Sequence, residues 1–199
     1  MGKSYRPKDF FFRKAKSEGF RARSAFKLEE IVRRFQLLKS GGKVLDLGAA
    51  PGGFLQVIAE AVGPKGLVIG VDIVPIKPFI QGHVKTAVMD VLSDTFAADL
   101  LQLYDGPFDT VISDLAPKTS GIKQTDEARS LRLAQLALDI ALVRGRAGSA
   151  FAAKLFMGGD FEPFRASLRA AYEDVKVVRP EATRGASMEV YLVALKRRT

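Results

Sequence analysis

The chain has 199 residues, of which 47% are hydrophobic and 27% charged, ordinary proportions for one globular domain with its own core. It has no cysteine and one histidine (His83), which excludes disulfide frameworks and thiolate nucleophiles and weighs against zinc sites and Ser-His-Asp triads. A net charge of +9 points to an anionic partner, and no stretch reaches the roughly 18 uncharged apolar residues of a membrane span.

The charge is unevenly placed. Residues 1–43 hold thirteen Lys/Arg against four Asp/Glu, which is the whole excess; the remaining 156 residues are balanced. Tyr5, Phe10, Phe11, Phe12, Phe20 and Phe26 are interleaved with these bases, a composition suited to gripping phosphates and stacking bases. The plainer reading is a solvated arm whose aromatics pack on the body. Residues 1–6 show neither an apolar run nor a cleavage site, so no secretory signal is expected and a cytoplasmic location is the default. Residues 1–40 are therefore taken as a basic arm and first amphipathic helix (Ser24–Phe35) that contact RNA, and residues 41–199 as the main domain.

From Gly42 onward, strands are expected at Lys43–Leu47, Leu67–Val71, Val84–Met89, Phe108–Ser113, Ala150–Phe156, Val175–Arg179 and Val190–Leu195. Helices are expected at Gly53–Val62, Thr95–Leu103, Asp126–Leu142 and Phe161–Tyr172. Near-continuous apolar strands alternating with helices predict an α/β, doubly wound, mostly parallel sheet covered on both faces. Ligands of such sheets lie beyond the carboxyl ends of the strands, so chemistry is sought just after each strand.

After the first strand comes Asp46-Leu47-Gly48-Ala49-Ala50-Pro51-Gly52-Gly53-Phe54. Its glycines permit a tight turn and a close approach of ligand to backbone before a helix starts. The spacing is not G-x-G-x-x-G, which counts against NAD. Asp72, 24 residues beyond Gly48, is placed to accept hydrogen bonds from ribose hydroxyls. Asp90 follows the third strand, where it can meet an exocyclic amine. Each acid alone can simply cap a turn; three acids at successive strands (Asp46, Asp72, Asp90) favour a ligand.

The Asp46–Phe54 segment resembles the S-adenosylmethionine loop of the FtsJ-type ribose 2′-O-methyltransferases. Four further segments stand in that family's order: Arg23-Ser24-Ala25-Phe26-Lys27-Leu28, Ser113-Asp114-Leu115-Ala116-Pro117, Ala153-Lys154-Leu155-Phe156 and Ser187-Met188-Glu189-Val190-Tyr191. The resemblance runs from about Lys14 to Lys196. It implies a Rossmann-like methyltransferase sheet of seven strands, the last antiparallel. It also implies S-adenosyl-L-methionine as cofactor, held by Asp46, Gly48, Gly52, Gly53, Phe54, Asp72, Asp90 and Asp114. Lys27, Asp114, Lys154 and Glu189 would then form the catalytic tetrad for RNA ribose 2′-O-methylation. Two positions depart from the bacterial ribosomal branch. Phe54 replaces a frequent Trp and keeps an apolar wall, and Lys118 replaces a common Asn, where it can touch a substrate phosphate.

The implied chemistry has a physical logic. A ribose 2′-hydroxyl is scarcely ionised at neutral pH, so methyl transfer needs in-line placement and help with the departing proton. A lysine acts as base only when neutral, against an ordinary pKa of about 10.4; desolvation beside a second cation favours the neutral form and a carboxylate opposes it. The other reading keeps Lys154 protonated, steering the 2′-oxygen as a donor. Asp114 can orient Lys154 and face the cationic methyl donor. Glu189 can hold Lys27 or the ribose, or merely pair with Arg184. Read singly, Lys27 is a phosphate contact or a solvated charge, and Asp114 a turn acid. Lys154 lies in the apolar run Phe151–Phe156, where burying a lysine is costly unless it is used.

The expected substrate is a uridine of 23S ribosomal RNA in the large subunit, because the chain is compact and carries one added arm but no extra RNA-binding domain. A transfer-RNA anticodon-loop methyltransferase and a non-catalytic RNA-binding assembly factor are the alternatives. A small-molecule or protein methyltransferase would leave the confined charge unexplained. A monomer without metal is expected.

Overall fold

The computed structural model describes residues 7–183 and 187–199. In chain order the elements are α1 (Pro7–Ser17), α2 (Ala25–Phe35), β1 (Lys43–Leu47), α3 (Gly53–Val62), β2 (Leu67–Asp72) and β3 (Val84–Val88). They continue with α4 (Phe96–Leu103), β4 (Phe108–Ser113), α5 (Lys123–Arg144), β5 (Gly145–Phe156), α6 (Phe161–Ala171), β6 (Tyr172–Val178) and β7 (Glu189–Arg197). The seven strands form one sheet in the order β3-β2-β1-β4-β5-β7-β6. Neighbours from β3 to β5 are parallel, and β7 runs antiparallel to both β5 and β6. The doubly wound sheet is as the apolar strands predict, and the reversed last strand is as the family resemblance implies.

The two-residue period of the strands sorts their side chains onto two faces. Leu45, Ile69, Val111, Phe151, Leu155 and Leu192 pack with α4, α5 and α6 in one buried cluster. Val44, Val68, Ile112, Ala152, Tyr191 and Val193 pack with α2 and α3 in another. Continuing that second row toward the carboxyl edge places Asp46, Asp114, Lys154 and Glu189 on the α2/α3 face. Parity alone therefore gathers the chemistry under the helix that carries Lys27.

Two departures from expectation have physical reasons. β5 starts at Gly145 rather than Ala150, with the pairing jumping from Phe108↔Gly145 to Thr110↔Ala150. Residues 146–149 are Arg-Ala-Gly-Ser, which bulge from the ladder and carry no β-branched signal. α1 was not expected within the arm. Pro7 suits a first helical position, and Phe11 and Ala15, four apart, dock against Phe26 and Ala182.

That docking changes the account of the arm's aromatics. Phe26 is 7% exposed, with the rings of Phe11 and Phe20 at 5.7 and 5.3 Å from it. These three are packed on one another and are not free to stack on bases, whereas Phe10 and Phe12 remain exposed. α2 enters the core outright, burying Ala25, Leu28 and Ile31 beside α3. A division at residue 40 thus marks charge, not packing.

Candidate active site

Four elements converge at the carboxyl edge. The Lys154 Nζ donates to the backbone carbonyl oxygen of Asp114 at 2.7 Å and to its Oδ1 at 2.9 Å. Lys154 stands directly opposite Tyr191 across the β5–β7 pair, and the Tyr191 hydroxyl donates to the same Oδ1 at 2.7 Å. Burial, and next the Asp114 charge, push the Tyr191 phenol well above its ordinary range, so it stays a donor. Two residues before it on the same face, Glu189 accepts from the Lys27 ammonium, joining β7 to α2. The alternative partner for Glu189, Arg184, lies outside the described residues. All four tetrad positions come together. Tyr191 was quoted in a motif but given no role; the i, i+2 spacing from Glu189 was the signal that it shares the face.

This geometry suits either protonation state of Lys154. A neutral amine has two N–H groups, and donating both to Asp114 leaves its lone pair for a third direction. An ammonium in the same place offers its third N–H there instead. Lys27 and Lys154 are only 9% and 7% exposed, so both act under reduced screening by water.

A cavity of about 550 Å³ adjoins this cluster and reaches across the ends of β1 to β4. Gly48, Asp72, Asp90, Asp114 and Lys154 line it, with apolar walls from Ile73, Met89, Val91, Leu115 and Leu133. Asp72 accepts from the backbone N–H groups of Ala50 and Val74, both at 2.9 Å, and Asp90 from that of Leu92 at 2.9 Å. Both acids do cap turns. Each carboxylate oxygen accepts more than one bond, however, so capping aims these groups into the cavity and leaves capacity for a ligand. Lys118 is exposed at the rim beside Arg129 and Arg132 of α5, two cations given no role in the sequence.

Of the loop residues, Gly48 and Ala50 line the cavity. Gly48 has φ +80°, and a Cβ there would meet the Leu115 backbone nitrogen at 2.9 Å; the glycine lets the β1 and β4 turns touch. Gly53 packs on Ala22, and Phe54 is buried against α2 and Tyr191. Gly52, Gly53 and Phe54 support the cavity from outside its lining.

Asp46 sits within β1, fully buried, and neither side-chain oxygen has a hydrogen-bond partner. Burial, and next the Asp114 and Asp72 charges, hold its carboxyl well above the usual range. A raised native value means the folded state binds the proton more tightly. Stability is therefore lost as pH rises from the ordinary value of about 3.9 until the native carboxyl itself ionises. Asp46→Asn lacks this loss. It is expected to unfold at an equal or higher temperature than wild type at pH 7, with the difference shrinking toward pH 4. A variant less stable at pH 7 by calorimetry would show that a charged Asp46 is required.

The profile of the FtsJ-like methyltransferase family matches residues 20–197. The chain belongs to the FtsJ-like methyltransferase family. It is 70% identical over 198 residues to the ribosomal RNA large subunit methyltransferase E of Myxococcus xanthus, covering 100% of this chain and 93% of that one. The Bdellovibrio bacteriovorus protein of the same name is 42% identical, covering 98% of this chain and 100% of its own length. A ribosomal RNA methyltransferase structure from Plasmodium falciparum superposes with a TM-score of 0.80 at 24% identity, over 89% of this chain and 98% of that one. That likeness speaks to the fold. The family match begins at residue 20, so the whole of α1 lies ahead of it.

Proposed function

We propose that this protein is an S-adenosylmethionine-dependent methyltransferase that 2′-O-methylates a ribose of large-subunit ribosomal RNA, with a uridine of 23S ribosomal RNA as target. The observation that carries the reading is the Lys154 amine, fixed by two Asp114 acceptors on the face of the Lys27–Glu189 pair and lining a cavity that also holds Asp72 and Asp90. The names of the relatives support the large-subunit substrate over transfer RNA.

The cavity's donor set fits the cofactor: anchored carboxylates for ribose hydroxyls and an exocyclic amine, apolar walls for a base, and acids that suit a cation. When bound, S-adenosylmethionine supplies an electrophilic methyl group. Lys154 holds or takes the proton of the 2′-hydroxyl. Asp114 orients Lys154, Tyr191 fixes Asp114, and Glu189 fixes Lys27 against the cleft. The basic segment of residues 1–40 supplies phosphate contacts. No helix among the described residues is long and apolar enough to cross a membrane, and no cluster of metal-ligating side chains occurs among them. We place the protein in the cytoplasm, as a monomer.

Two measurements test this. Asp72→Ala is expected to weaken cofactor binding by about 1–3 kcal/mol by calorimetry, because it leaves ribose hydroxyls unpaired; unchanged affinity would remove Asp72 from the site. Incubating the protein and labelled methyl donor with ribosomal subunits or transfer RNA is expected to mark the large subunit at an alkali-resistant linkage. Label in transfer RNA alone would overturn the substrate, and label in neither would favour the assembly-factor reading.

A further inference from the structure

Arg21 stands between α1 and α2, in the segment whose charge suggests RNA. Its guanidinium is nevertheless engaged within the protein. Nη1 donates to the Lys77 carbonyl oxygen at 2.6 Å and Nη2 to that of Pro78 at 2.9 Å, while its centre lies 3.8 Å from the Phe79 ring centroid. The Arg21 backbone N–H donates to Gln56 Oε1 at 2.7 Å, and Gln56 Nε2 donates to the Gly19 carbonyl oxygen at 2.9 Å. Residues 19–21 are thereby tied to α3 and to the connection between β2 and β3.

Gly52 lies beneath this contact at φ +110°. A Cβ there would come within 3.0 Å of Arg21 Nη1 and 3.1 Å of the Phe79 ring. The two segments so joined also border the cofactor cavity, the β1 turn through Gly48 and Ala50, the exit of β2 through Asp72 and Ile73. Asp72 links them from inside by accepting from Ala50 and Val74. Arg21 lies against both from outside, bonded to Lys77 and Pro78 of the β2–β3 connection and covering Gly52 of the β1 turn.

We propose that Arg21 is a positioning residue of the cofactor site, clamping the β1 turn to the β2 exit, and that its guanidinium is withheld from RNA. The inference rests on the reading of the cavity as the S-adenosylmethionine site. A planar guanidinium serves two carbonyls and stacks on a ring at once; an ammonium keeps the charge and its donors but has no plane with which to do both together. Arginine should therefore be irreplaceable by lysine here, whereas a phosphate contact tolerates the exchange better.

The test compares the full chain with its Arg21→Ala, Arg21→Lys and Phe79→Ala variants. S-adenosylmethionine binding is followed by calorimetry, and RNA affinity as a function of salt. Both Arg21 variants are expected to raise the cofactor Kd about ten-fold and its KM in parallel, with kcat at saturating cofactor changed less than about two-fold. Phe79→Ala, which removes no charge, is expected to shift the cofactor Kd in the same direction. The salt slope of RNA binding should be unchanged in all three. A lysine variant with wild-type cofactor affinity, beside an alanine variant with weaker RNA binding and a shallower salt slope, would make Arg21 a phosphate contact and overturn the proposal. A lowered melting temperature with unchanged cofactor Kd would reduce the clamp to structural packing and overturn it equally. Failure of the wild-type chain to bind S-adenosylmethionine would instead overturn the reading of the cavity beneath it.

Discussion

Lys154→Ala is expected to slow methyl transfer about 100- to 10,000-fold, the range of a lost proton-transfer group. Cofactor affinity and the fold should survive. Alanine leaves a cavity where the lysine stem lay, but it also removes a buried charge, and Asp114 keeps its bond from Tyr191. Lys154→Arg then separates the two roles. Arginine stays protonated, so it can steer an oxygen but cannot accept its proton. Near-normal turnover in the arginine variant would reject the base and leave a fixed cation. Since arginine's bulk can also disturb the pair of bonds to Asp114, loss in both variants is read together with the wild-type pH–rate profile under single turnover. A base gives a rate that climbs with pH and levels off, whereas a fixed cation gives a flat profile.

The second large effect lies in the Lys27–Glu189 pair. Its side chains are 11% and 13% exposed, so breaking it strands a charge away from water. Glu189→Ala is expected to cost about 3–5 kcal/mol in denaturant unfolding. The double variant Lys27→Met/Glu189→Leu should recover most of that stability, since neither charge is then left alone, yet remain inactive. Activity in the double variant would show that the pair is only a strut between α2 and β7. A single-variant cost below about 1 kcal/mol would show instead that water reaches it as it reaches a surface pair.

Much of this was legible in the residues because strands buried on both faces must be apolar throughout. β1 and β4 follow the expected boundaries, and the helix after β1 starts at Gly53 as its loop suggests. What escaped lacked a periodic signal. The opening of β5 is a bulge of small and polar residues, and α1 is a short helix whose bases dominate its composition. The Asp46, Asp72 and Asp90 set looked uniform in sequence. The structure divides it into one carboxyl sealed inside a strand and two aimed into a cavity by backbone donors. Arg21 was counted among the arm's charges, because nothing in a linear pattern shows that its partners lie 56 and 57 residues away.

β7 enters the sheet against the direction of its neighbours, so its first residue, not its last, arrives at the carboxyl edge opposite the end of β5. Asp72 and Asp90 stand where parallel strands give way to turns, whereas Tyr191 is paired on both sides and Glu189 is paired with Phe156 of β5. The heights of Glu189 and Tyr191 are accordingly set by their pairing with β5, the strand that carries Lys154. A slip of one residue in this single ladder would turn both side chains to the opposite face from Lys154.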